Sequence, residues 1–155
     1  MPYPAIVVAN EIIRLANVDR KDLTPMKLQK ILYLAYGIFL KRMDERLIDE
    51  RFEPWEYGPV VRSVYNTFKE CGSGNITQPV EDCYNQLPVS SLNMVDTALW
   101  AIKDAWDNAK NLSAFTLSAW SHNKNSPWDK AFNSNPRPLY ISDDDIKEYF
   151  DNFIQ

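Results

Sequence analysis

The longest amphipathic pattern in the chain runs from Thr24 to Met43. Apolar residues recur there every three or four positions, which is the spacing of one face of an α-helix. Thr24 suits the N-cap and Pro25 suits the first helical position, where its missing N–H has no partner in any case. Apolar and aromatic residues also occupy much of the remaining circumference, so the pattern predicts a central helix over residues 24–43. Its core-facing stripe is Leu28, Ile31, Leu32, Ala35, Ile38, Phe39 and Met43.

The same periodicity predicts helices on both sides of the central one. They cover residues 4–17, a segment that starts at Gly58 and Pro59 and stops at Gly72, residues 91–110, residues 113–121, a short helix opened by Ser126, Pro127, Trp128 and Asp129, and a final helix after Ser142 whose stripe is Ile146, Tyr149, Phe150 and Phe153. We therefore expect a mainly α fold: a compact, single-domain bundle over residues 1–155, with six or seven helices around the central helix.

Two connections interrupt the helical pattern. Residues 47–57 mix apolar and aromatic residues with charges and a proline, which is typical of a small β-hairpin or an irregular extended segment. Residues 71–91 contain two glycines and two prolines without periodicity, so we expect a long surface connection and the main site of mobility.

Charge and composition exclude several classes of protein. A net charge of −4 argues against broad nucleic-acid binding, which needs Lys and Arg to neutralise phosphates, and makes a protein partner the better expectation. No apolar run approaches the roughly 20 residues of a membrane helix, and the N-terminal residues do not form a signal peptide, so we expect a cytoplasmic protein. We expect Cys71 and Cys83 to be reduced, and with His122 as the only histidine no metal site is predicted.

His122 is the main candidate for catalysis. It could activate Ser118, Ser121 or Ser126, which are close in sequence. The alternative, which we favour, is structural: His122 ends a short helix and holds Trp128, which we expect to be buried beneath the turn formed by residues 123–127. The carboxylates of residues 45–53 are interpreted as a solvated face, and no cofactor-binding motif occurs.

The aromatic content includes five tryptophans, and Trp55 and Tyr57 are the best interface candidates because they lie outside the helical stripes. Two residues apart in an extended segment, they should point to the same side. Gly58 and Pro59 would fix the exit from this segment into the following helix. The two aromatic side chains would then be held against the basic face in the N-terminal half of the central helix. The predicted partner-binding residues are Lys27, Lys30, Tyr33, Trp55 and Tyr57. In the alternative interpretation, Trp55 and Tyr57 simply close the core.

Three segments taken in order resemble one family. They are KLQKILYLAYGIFL at 27–40, FEPWEYGPVVRSVYNTFKECG at 52–72 and LSAWSHNKNSPWDKA at 117–131. The W-x-Y-G-P-V element, followed by S-H and then P-W, is similar to the Panacea domain, the SocA-like and GepA-like antitoxin domain of bacteria and prophages. The structural motif carried by this resemblance is Gly58, Pro59, His122, Pro127 and Trp128.

The resemblance implies a compact helical domain that neutralises a cognate protein toxin by direct contact, without catalysis and without a cofactor. Two alternative functions are compatible with the resemblance: an adaptor that delivers a toxin or other protein to a protease, and a prophage-encoded regulator. A further alternative, which the resemblance does not imply, is an enzyme that uses His122. We expect no DNA-binding extension, which puts autoregulation through DNA in doubt. The identity of the toxin and the oligomeric state stay open.

Overall fold

The computed structural model describes residues 2–69, 76 and 94–153. Within these residues the chain forms seven helices and one two-stranded antiparallel sheet. In chain order they are α1 (Ala5–Asp19), α2 (Pro25–Met43), β1 (Glu53–Trp55), β2 (Gly58–Val60), α3 (Arg62–Lys69), α4 (Asp96–Ala109), α5 (Ala114–Ser121), α6 (Pro127–Phe132) and α7 (Asp143–Phe153). The predicted mainly α architecture with a small hairpin is confirmed.

Helix α2 lies at the centre of the fold. Thr24 caps it, since its Oγ1 accepts a hydrogen bond from the backbone N–H of Lys27 at 3.2 Å. Every residue from Lys27 to Leu40 is buried, because α1, α3, α4, α5, α7 and β2 all pack against this helix. The predicted central role is confirmed. Met43 is 39% exposed and was wrongly assigned to the core stripe, since the surrounding elements leave the last turn of α2 uncovered.

Helices α1 and α4 cover one side of α2. The indole of Trp106 on α4 is fully buried, and its Nε1 donates a hydrogen bond to a carboxylate oxygen of Asp19 at the end of α1, at 2.7 Å. Helix α4 starts at Asp96, with Val95 as the N-cap. Val95 is 56% exposed and lies outside the core.

Helix α7 closes the other side of α2. Ile146 and Phe150 are buried as predicted, and the Phe150 ring lies directly on the backbone of Gly37. The hydroxyl of Tyr36 donates a hydrogen bond to Asp143 Oδ1 at 2.7 Å, which ties the start of α7 to α2. The side chain of Phe153 lies outside the described part of the structure.

The hairpin spans residues 53–60, later in the chain than the predicted range of 47–57. Gly58 and Pro59 lie in β2, so the prediction that they open a helix is wrong, and α3 begins at Arg62. The side-chain amide of Gln29 explains the difference. It accepts from the N–H of Val61 at 2.9 Å and donates to the carbonyl of Val61 at 3.2 Å, which keeps the chain extended up to that residue.

Several expectations concern residues that the structure does not describe. The connection at 71–91, apart from Ile76, and both cysteines, Cys71 and Cys83, lie outside the described residues. Among the helices that are described, none combines the length and apolar character needed to cross a bilayer.

Candidate functional site

The candidate site is the hairpin turn, residues 55–59, together with the side chains that hold it. Trp55 pairs with Gly58, so Glu56 and Tyr57 form a two-residue loop. Gly58 has φ +118°, which favours glycine. A Cβ at Gly58 would also lie 2.7 Å from Cε of Lys30 and 2.8 Å from Oγ of Ser121. The turn therefore packs tightly between α2 and α5, as predicted for the N-terminal half of α2.

Lys30 holds the turn from the side of α2. Its ammonium donates a hydrogen bond to the carbonyl of Pro59 at 3.1 Å, and the residue is only 1% exposed. None of the ion pairs among the described residues includes it. Burial lowers the pKa of Lys30 to about 7, because the interior disfavours the charged form.

His122 holds the turn from the side of α5. Its Nε2 lies 2.8 Å from the carbonyl of Glu56, and its Nδ1 lies 2.5 Å from the carbonyl of Ser118. The hydroxyl of Ser121 donates to the Ser118 carbonyl at 2.8 Å and lies 3.4 Å from Nδ1. Both ring nitrogens thus face backbone carbonyls, which fits the predicted structural role and differs from the arrangement of a base that activates a serine.

Trp128 completes the support. It is 6% exposed, so the prediction that it is buried is confirmed. Its Nε1 donates a hydrogen bond to the carbonyl of Trp55 at 2.6 Å, and its ring centroid lies 3.8 Å from that of His122. Ser126 caps the short helix α6 by accepting from the N–H of Asp129 at 3.1 Å, and Pro127 takes the first helical position. The S-H and P-W elements of the sequence therefore meet under the hairpin turn.

Lys27, Lys30 and Tyr33, which the sequence predicts to bind the partner from one face of α2, are buried in the structure. Their exposed fractions are 8%, 1% and 1%. The ammonium of Lys27 donates to the carbonyl of Lys110 at 2.8 Å, and burial lowers its pKa. The ring of Tyr33 packs edge-on against that of Phe52, and burial raises its pKa. The hairpin, α4 and α7 cover this part of α2, so these side chains support the site from behind.

Trp55 and Tyr57 do not share one extended segment, which differs from the prediction, because Trp55 ends β1 and Tyr57 lies in the two-residue loop. The Trp55 ring packs against Tyr65 with centroids 4.9 Å apart, and the Arg62 guanidinium lies 5.1 Å from its centroid. Trp55 is therefore partly covered. Tyr57, at the tip, is 63% exposed. Of the two aromatics, Tyr57 is the one freely presented to solvent.

Glu53 departs from the expected solvated face, since it is 8% exposed. Its carboxylate accepts hydrogen bonds from Arg62 at 2.8 Å and from Trp55 Nε1 at 3.1 Å. Burial raises the pKa of Glu53, but the hydrogen bonds from Arg62 and Trp55 outweigh burial, so the pKa lies below its ordinary value. Glu53 and Arg62 line an open cleft of about 420 Å³ that carries charges of both signs.

Across the described ranges, no cluster of His, Cys, Asp and Glu is placed to hold a metal ion.

The sequence did not predict the parts that Gln29, Ser118 and Phe115 have in this site. Ser118 donates a hydrogen bond from its Oγ to the carbonyl of Tyr57 at 2.9 Å. Phe115, on α5, is 81% exposed. The helical spacing is consistent with the exposure of Phe115. Leu117 and Ser121, four positions apart, are buried on one face of α5, and a residue two positions before Leu117 lies on nearly the opposite face.

Comparisons with known proteins cover this same region. The model of the family described as "Antitoxin SocA-like, Panacea domain" matches residues 28–129, a range that contains the hairpin turn and the side chains of Lys30, His122 and Trp128, which bond its carbonyls. The chain is also similar to Antitoxin SocA of Caulobacter vibrioides (strain NA1000 / CB15N), with 30% identity over 128 residues that cover 81% of this chain and 68% of that protein. No solved structure matches the chain significantly.

Proposed function

Because this chain belongs to the SocA-like, Panacea-domain antitoxin family, we propose that it neutralises a cognate bacterial or prophage toxin by binding that protein directly. The observation that carries the proposal is the family match over residues 28–129, which includes the hairpin turn and its support. The binding would take place in the cytoplasm, and family membership suggests a role without catalysis.

We place the toxin contact at the hairpin turn, with Tyr57 at its tip and Trp55 at its base. Tyrosine and tryptophan are the side chains that most often anchor protein interfaces. Lys27, Lys30 and Tyr33 take part indirectly in this proposal. Lys30 fixes the backbone of the turn, while Lys27 and Tyr33 pack into the core behind it.

Co-expression with the product of the adjacent open reading frame tests the function. We expect that product to arrest growth when it is expressed alone, and this chain to restore growth and to co-purify with it. A copy of this chain with an early stop codon is the control. A harmless neighbour, or a toxic neighbour that this chain neither relieves nor binds, would contradict the proposal.

The amount of toxin in the same cells separates direct neutralisation from delivery to a protease. If binding alone blocks the toxin, its level stays constant while growth recovers. If this chain acts as an adaptor, the toxin level falls and recovers in a strain that lacks the protease. We expect the first result.

A further inference from the structure

Phe115 is the most exposed of the large apolar side chains that the structure describes, at 81%. It projects from α5, a helix whose Leu117 and Ser121 face the core. Removing an aromatic ring of this size from water is favourable in free energy, and the fold of this chain leaves that gain unused at Phe115. The Phe115 ring is therefore available as a contact for a protein partner.

Phe115 and Tyr57 belong to the same part of the surface. The hydroxyl of Ser118 on α5 donates to the carbonyl of Tyr57 at 2.9 Å, so the tip of the hairpin touches α5 at that residue. Phe115 lies three positions before Ser118, one turn away on the same side of the helix. Tyr57 is itself 63% exposed, and Leu112, just before α5, is 40% exposed.

The backbone that carries Tyr57 is already fixed. His122 faces the carbonyl of Glu56 at 2.8 Å, Ser118 bonds that of Tyr57, and Lys30 bonds that of Pro59 at 3.1 Å. Phe115 is on a helix whose N-cap, Ser113, accepts from the N–H of Thr116 at 3.0 Å. Binding through these two rings orders little further chain, and rigid anchors of this kind favour affinity.

Recognition here must come from side chains. Pro54 and Pro59 face each other across the hairpin and have no N–H to offer to an added strand, and the carbonyl of Pro59 is occupied by Lys30. A partner that extends the small sheet would find no regular ladder. The surface suits a folded partner with an apolar recess that receives the two rings.

We propose that Tyr57 and Phe115 together form the toxin-docking surface, here called the aromatic face, and that the cognate toxin covers it through an apolar recess. This inference rests on the proposed function, since family membership supplies the partner. It adds α5 to the hairpin as a second contact element and makes Phe115 a determinant of toxin affinity.

Binding of purified variants to the adjacent-frame product, in an inactive form, tests the aromatic face. Tyr57→Ala and Phe115→Ala should each weaken the affinity about thirtyfold or more, as expected for interface anchors. Trp100→Ala is the matched control, because Trp100 is also 63% exposed but projects from α4. We expect it to change the affinity less than about threefold. All three side chains are exposed, so all three variants should keep the melting temperature of the unaltered chain.

The outcomes separate this inference from the function it rests on. If the unaltered chain binds and neutralises the toxin but both variants bind as well as it does, the aromatic face is overturned and the function stands. If Trp100→Ala alone weakens binding, the docking surface lies on α4 instead. If the free chain is a dimer that either variant dissociates while toxin binding is unchanged, a second copy covers the face and the inference fails. If the unaltered chain does not bind at all, the proposed function fails, and the inference with it.

Discussion

Lys30 places an ammonium group in the interior, where its one hydrogen-bond partner among the described residues is the carbonyl of Pro59. A charge in such a place destabilises the fold relative to a neutral amine, because the interior solvates it less well than water. The folded-state pKa of about 7 lies below the ordinary value of 10.5. Between these two values the unfolded chain binds a proton that the folded chain does not. The contribution of Lys30 to the free energy of unfolding therefore rises with pH across this window and is constant below it.

A comparison of Lys30→Met with the unaltered chain isolates this effect. Methionine keeps most of the stem but cannot be charged. The unaltered chain should gain about 1 to 3 kcal/mol relative to the variant between about pH 6 and pH 9.5, with a slope no greater than about 1.4 kcal/mol per pH unit. Urea unfolding at a series of pH values measures this difference.

Lys124→Met is the matched control, since Lys124 lies in an exposed loop, and its stability difference should not vary over the same range. A difference for Lys30→Met that also stays constant with pH would mean that Lys30 keeps its proton in the fold throughout.

At the scale of elements, the hairpin is held by contacts from α2, α5 and α6 rather than by its own short strands. Each strand has only three residues, and a hairpin of that size is marginal in water. Lys30, His122 and Trp128 supply the missing support by bonding carbonyls of the turn. Gly58 allows them to approach, since any larger residue would meet both α2 and α5.

Gly58→Ala should therefore displace the hairpin. The strained φ and the overlap with Lys30 and Ser121 together predict a loss of about 2 to 4 kcal/mol in the free energy of unfolding. The indole N–H resonance of Trp128 reports on the hairpin directly, because that group donates to the carbonyl of Trp55. We expect this resonance to shift markedly. Glu56→Ala, on the exposed loop, should alter neither property, and a stable Gly58→Ala protein with an unshifted resonance would show that the turn tolerates a side chain.

At the scale of the whole molecule, the bundle closes where α7 crosses α2. Phe150 is fully buried and packs edge-on against Tyr33 and Trp120, with ring centroids 5.8 Å and 5.9 Å away. The Phe150 ring fits there because Gly37 has no Cβ. A glycine in mid-helix ordinarily weakens a helix by about 1 kcal/mol relative to alanine. Here that cost is offset by the close approach of the last helix.

Gly37→Ala separates helix propensity from packing. Propensity alone predicts a gain of about 1 kcal/mol, whereas overlap of the new methyl group with the Phe150 ring predicts a net loss of about 1 to 3 kcal/mol. We expect the loss, measured by chemical denaturation. A smaller residue at position 150 should relieve the overlap with the new methyl group. Phe150→Leu should therefore lower the free energy of unfolding less in the Gly37→Ala background than in the unaltered chain. Additive effects of the two changes would indicate that the two positions are not coupled.

The sequence by itself determined the helices, because periodicity, caps and prolines act within one or two turns of chain. Thr24 with Pro25, and Ser126 with Pro127, start helices where the pattern placed them. The sequence also contained the hairpin, although its position was predicted a few residues too early. The pairing of His122 with Trp128 followed from their closeness along the chain.

Only the tertiary structure decided which polar faces remain at the surface. Lys27 and Lys30 lie on the less apolar side of α2 and read as solvent-exposed, yet neighbouring elements distant in sequence cover that side and bury them. The reverse holds for Phe115, an apolar residue left exposed because α5 buries its opposite face. A helical pattern shows which residues share a face. How many faces are covered depends on packing between segments far apart in the chain, and local spacing carries no record of it.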